Sequence, residues 1–279
     1  MEPILRNLFR ALGRIFPDCI MLSQAIAFNM FLAFFPVLLL ALGLLGATSL
    51  FHDALSEIPA RLSVILPPGS TDVVFAYFVR KGEANPWGWI SLGLGGTLLA
   101  GTQVMVGYME GFRLIDGDPL RQVYWRRQLR AVGLLCITIV PMLTVVVLTV
   151  FGKQARPWLV RHTGFPLLIR DFAFLFYGLL VFVLAMAVLV MLYGIGSSND
   201  TTFRSLLPGA VVSTVLWWAV DGAFGWYVRK MPYDAVYRGL AGAIGLLLWM
   251  FLTALIVLLG AAYNAEARET SVSSGLTLQ

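Results

Sequence analysis

Charged residues are so widely spaced along this chain that they outline the elements between them. Charge-free runs lie between Asp18 and His52, Glu83 and Glu110, Arg130 and Lys153, and Asp171 and Asp200. A fifth starts after Arg204 and continues to Val228, broken only by Asp221, and a sixth extends from Gly239 to Ala265. A helix rises ~1.5 Å per residue, so each run is long enough to cross a ~30 Å hydrocarbon core. The pattern predicts an all-α membrane protein of six transmembrane helices. Their bodies fall at about 25–50, 87–109, 131–152, 172–193, 205–228 and 239–265, in a single polytopic domain over residues 1–279. An even count of spans places both termini on one side.

The sixth run has internal order beyond its greasiness. Gly242, Trp249, Thr253, Gly260 and Asn264 recur at steps of three, four or seven, which collects small and polar groups on one side. The expected result is a helix packed against other helices. The long connection from Phe51 to Trp87 contains two stretches with apolar residues at helical spacing, separated by Pro67, Pro68 and Gly69. They predict short amphipathic helices in the first outer loop, capping the bundle or lying at the membrane surface. Pro36 and Pro141 fall inside spans, where proline kinks a helix or releases a carbonyl, whereas Pro208 lies near a helix start.

Composition narrows the class. Hydrophobic residues make up 59% and charged residues 13% of the chain, against about 25% charged in ordinary soluble domains. The first residues are interrupted by charge and lack a small-residue cleavage site, so the first span is expected to persist in the mature protein. The net charge is +5, and its basic groups flank apolar spans. Membrane lipids, rather than nucleic acid, are the partner this arrangement suits. The 20 Lys and Arg divide evenly between the two sides, so counting them does not orient the chain. Cys19 and Cys136 have no metal-ligand spacing, and the two histidines, His52 and His162, sit in or beside loops. Phosphate-loop, zinc-hydrolase and nucleophile-elbow motifs do not occur, so neither an enzyme nor a cofactor is expected.

Candidate chemistry rests on polar groups at bilayer depth. Asp221 is the strongest, because an ionised Asp near the membrane centre costs ~2.5–3.5 kcal/mol on insertion scales. Gly209, Ser213, Trp217, Asp221 and Gly225 step by four, which points the carboxylate inward. It would then serve as a proton, ion or headgroup site, or else pair near the surface with a loop arginine such as Arg238. Asn29, Gln103, Asn264 and Glu266 could line a polar cleft with it, or could hydrogen-bond across helices as packing glue. Glu110 and Arg113, one turn apart, should form a surface ion pair. Stripes of small residues would also suit a homo-oligomer.

Four segments carry a resemblance to a known family: SQAIAFNMFLAFFPVLLLALGLLG from Ser23, YWRRQLRA from Tyr124, LLPGAVVSTVLWW from Leu206, and AVYRGLAGAIGLLLWMFLTALIVLLGAAYNAE from Ala235. Over Ser23 to Glu266 the chain resembles the YihY/virulence factor BrkB family of bacterial inner-membrane proteins, some of which carry an older ribonuclease label. The resemblance implies an inner-membrane protein with cytoplasmic termini and a role in moving lipids or other amphiphiles. The expected function is a transporter or flippase not driven by ATP, with an envelope scaffold as the alternative. Family members commonly carry an acid at the position of Ala262, and Glu266, one turn later, could stand in for it.

Overall fold

The computed structural model describes residues 2–15, 17–46, 86–118, 123–139, 141, 166–197, 202–230 and 240–276. Among these residues the structure is helical and contains no strand. The helices are α1 (Glu2–Ile15), α2 (Asp18–Gly46), α3 (Pro86–Asp116), α4 (residues 124–139), α5 (Pro166–Gly196), α6 (Phe203–Lys230) and α7 (Leu240–Leu276). Five of them, α2, α3, α5, α6 and α7, are long and apolar enough to cross a membrane. Only 17–33% of the residues in their most apolar stretches are buried, so most of that surface is left for lipid to solvate.

The expected span at 131–152 corresponds to α4, which begins earlier, at residue 124. Residues 142–152, the amphipathic loop expected between Phe51 and Trp87, and Arg238 all lie outside the described residues. The structure adds α1, which the search for charge-free runs passes over because Arg6, Arg10 and Arg14 interrupt it. At 14 residues, or ~21 Å, α1 is too short to span a bilayer. It stops two residues before Pro17, whose ring disfavours α geometry just ahead of it. By contrast α7 runs for 37 residues, ~55 Å, so its charged final turns project beyond the hydrocarbon.

The chain forms two compact units. The first comprises Met1–Cys19, Tyr108–Trp217 and Ile256–Gln279; the second comprises Ile20–Gly107 and Trp218–Leu255. In the second unit α2 and α3 run antiparallel, with Gly43 against Ile90, Gly93 against Leu40, Gly96 against Pro36 and Gly107 against Ile26. Each glycine leaves no room for a Cβ beside its partner, so the backbones approach closely. Pro36 therefore sits within a continuous α2, seated on Gly96.

In the first unit, α6 and α7 meet at Gly209 and Gly260. A Cβ on Gly209 would collide with the Gly260 carbonyl oxygen, and one on Gly260 would collide with Ser213 Oγ. Beneath this contact Phe112, Leu134, Tyr193, Leu206 and Leu258 form the buried apolar core. α3 ends in a Schellman turn: Gly117 adopts φ +69°, the Asp118 N–H donates to the Arg113 carbonyl and the Gly117 N–H to the Leu114 carbonyl. That turn fixes Asp116 at the C-cap.

Candidate functional site

Two polar arrangements stand out, one in each unit. In the first unit, a layer of hydroxyl and amide groups lies between α5, α6 and α7. The Tyr193 hydroxyl is 2.9 Å from Ser213 Oγ and donates to the Val257 carbonyl at 2.9 Å, while Ser213 Oγ lies 3.0 Å from the Ile256 carbonyl. Two hydroxyl protons are thus shared among three contacts. One turn further along, Asn264 Oδ1 accepts from the Gly209 N–H at 2.7 Å and its Nδ2 donates to the Leu206 carbonyl at 3.1 Å. Pro208 lies between those two residues, lacks an N–H and crowds the preceding turn. The Asn264 amide engages the backbone on either side of that proline.

Charges gather where this layer reaches the helix ends. The Asp116 side chain, 5% exposed, accepts from Ser197 Oγ at 2.6 Å and pairs with Arg268 Nη2 at 2.6 Å. Arg14 of α1 donates through Nε to the Ile115 carbonyl at 2.9 Å. Its Nη1 reaches Glu266 at 3.0 Å and Glu269 at 2.8 Å. Burial pulls the Arg14 pKa down, but the bonds to Glu269 and Glu266 outweigh it and leave the guanidinium above its ordinary value. Glu110 pairs with Arg113, as their spacing predicts, and also with Arg127 at 3.7 Å. Between Asp116, Ser197, Arg268, Asn264, Phe112 and Tyr193 lies a recess with room for roughly one water molecule. A lipid headgroup does not fit there.

In the second unit Ser23, Thr97 and Thr102 are buried, whereas two of the candidate polar residues face outward. Asp221 is exposed and its Oδ1 accepts from Trp249 Nε1 of α7 at 3.1 Å. The expectation that the four-step stripe carries Asp221 inward is thus corrected. Each step of four residues advances ~400°, so a stripe beginning at Gly209 has turned ~120° by Asp221. Gly209 and Ser213 are buried accordingly, whereas Asp221 has rotated out. Gln103 is also exposed. The constant antiparallel register of α2 and α3 sets it level with Asn29, which falls on the α3-facing stripe with Ile26, Pro36 and Leu40.

The five candidate residues therefore divide. Asp221, Asn29 and Gln103 belong to the second unit, Asn264 and Glu266 to the first. Glu266 is engaged by Arg14, and Ala262 is fully buried. Sequence reasoning passed over Asp116, Ser197 and Arg268, which look like ordinary loop-edge residues until the Schellman turn aims the first at the others. Among the described residues, no three His, Cys, Asp or Glu side chains are grouped as metal ligands would be.

Long apolar helices with mostly outward-facing side chains, closed by charges at their ends, define a multi-pass membrane protein. The chain belongs to the family described as virulence factor BrkB, which matches residues 16–277. It is 25% identical over 273 residues to a UPF0761 membrane protein of Alkalilimnicola ehrlichii, covering 91% of this chain and 56% of the relative. A UPF0761 membrane protein of Chromobacterium violaceum is 26% identical over 256 residues, covering 88% and 57%. The chain thus spans little more than half the length of these two relatives. A Bacillus subtilis protein named ribonuclease-like protein YfkH is 23% identical over 245 residues, covering 87% of this chain and 88% of its own. No solved structure matches.

Proposed function

We propose that this protein moves a lipid or other amphiphile across the bacterial inner membrane without ATP, along an outward-facing polar strip on its second unit. The observation that supports this reading is Asp221. It lies nine residues, ~14 Å, before the end of α6 at Lys230, and is exposed rather than enclosed. A carboxylate so placed costs ~2.5–3.5 kcal/mol unless a polar group meets it. Trp249 Nε1 supplies one hydrogen bond and leaves the other oxygen for a passing headgroup. Gln103 offers a second exposed polar group at bilayer depth. An amphiphile could slide its headgroup over such a strip while its tails stay in lipid, which needs no internal cavity.

The test is purified protein reconstituted in liposomes containing a trace of fluorescent phosphatidylglycerol, with dithionite added outside. Translocation appears as quenching beyond the outer-leaflet fraction. Asp221→Asn should slow it about tenfold, equivalent to ~1.4 kcal/mol of barrier. Wild-type rates in both Asp221→Asn and Gln103→Ala would sink the proposed route. The scaffold reading draws on a different observation, the first unit's tight packing, whose recess holds about one water. It predicts no quenching beyond protein-free liposomes.

A further inference from the structure

The outer face of α4 carries a combination that the proposed translocation strip does not use. Trp125, Leu129, Val132 and Cys136 recur at steps of four, three and four, and all four are exposed. Trp125 is 73% and Leu129 72% exposed, among the most exposed apolar side chains described. From Trp125 to Cys136 the stripe covers ~16 Å, close to half of a ~30 Å hydrocarbon core and so to the depth of one leaflet. Beside it, displaced by one residue, exposed Arg126 and Arg130 continue into Gly133 and Ile137. The guanidiniums therefore flank the stripe only at its Trp125 end, where an aromatic residue would mark the headgroup level.

Arg113 and Arg127 share the Glu110 carboxylate, and the Nε atoms of both are buried without a hydrogen-bond partner. Arg113 also reaches the Asp118 backbone carbonyl at 3.5 Å, and Arg127 lies over the Tyr124 ring at 6.0 Å. Two guanidiniums, those of residues 113 and 127, thus draw on one carboxylate, that of Glu110. Arg126 and Arg130 hold no ion pair among the described residues. An electropositive end joined to a leaflet-deep apolar stripe matches one ligand shape, a phosphate with an attached acyl chain.

We propose that this face of α4 is a binding site for an anionic phospholipid, with the phosphate on Arg126 and Arg130 and a tail along Trp125, Leu129, Val132 and Cys136. The site lies in the first unit and does not depend on the translocation reading. Phosphate geometry suits guanidinium forks, since each can present two N–H donors. Phosphatidylcholine carries the same tails and phosphate but adds a choline cation, so it should bind more weakly.

Native mass spectrometry of the full chain, released from detergent with equal phosphatidylglycerol and phosphatidylcholine, tests this. Wild type should retain phosphatidylglycerol about tenfold better. Arg126→Gln with Arg130→Gln should remove that preference, while Arg204→Gln, another exposed arginine of the same unit, should leave it intact. Leu129→Asn should reduce retention of both lipids. A double variant that keeps the preference, or an equal loss in Arg204→Gln, overturns the site in favour of diffuse charge. Inorganic phosphate that protects against heat as well as phosphatidylglycerol does would also overturn it, because the tail would then contribute nothing.

Discussion

Asn264 shows how a single side chain can hold two membrane helices in register. Its amide answers one N–H and one carbonyl of α6 on either side of Pro208. In bilayers an interhelical hydrogen bond averages only ~0.6 kcal/mol, but a buried backbone group left unsatisfied costs ~1–3 kcal/mol. Asn264→Leu, similar in size and unable to bond, should therefore cost about 1–3 kcal/mol and lower the Tm in detergent. Gly260→Ala should be more damaging, because its Cβ meets Ser213 Oγ with no free direction to move. Loss of the monodisperse peak in fluorescence-detected size exclusion would report it; a stable, wild-type-like Gly260→Ala protein would contradict the close crossing. Asn264 and Gly260 were legible in the sequence because a seam shows as periodic small and polar residues. Asp221 was legible as a residue but not as a direction, because a four-residue step precesses around the helix.

At the level of elements, α1 is the clearest addition to what the sequence shows. Its apolar residues Phe9 and Leu12 are exposed while Asn7 and Ala11 are buried, which reverses the arrangement of a helix on a soluble core. Charge-free runs find spans, and α1 is not one; its signal lies in the helical spacing of Leu5, Leu8, Phe9 and Leu12. Arg14 fastens it to α3 and α7. Arg14→Gln keeps part of the bond to the Ile115 carbonyl but gives up both ion pairs. Partly exposed pairs of this kind contribute ~0.2–1 kcal/mol each. Amide exchange across residues 2–15 should then speed up several-fold, with little change in Tm. Glu266→Gln combined with Glu269→Gln, which leaves the guanidinium in place and takes away both of its carboxylates, should reproduce the effect.

For the whole molecule, the spans were legible because lipid demands long apolar helices and little else produces them. Their ends were not, since helices such as α7 continue well past the hydrocarbon into charged sequence that hydropathy discards. The contact of Arg14 with Glu266 and Glu269 brings both ends of the described chain to the same end of the first unit. A cytoplasmic location for this end, which the family resemblance implies, has a direct test. Cysteines introduced at Arg10 and Glu269 should resist a membrane-impermeant maleimide in intact cells and react once the membrane is opened; labelling in intact cells would reverse the orientation.

The bond between Arg14 and Glu266 also has a meaning in time. Its partners are 252 residues apart in the chain. At ~5–20 residues per second of synthesis, α1 exists for roughly 10–50 s before its carboxylates are made. The clasp is thus among the last events of biogenesis, and in a nascent chain halted before α7 Arg14 has only the Ile115 carbonyl to hold.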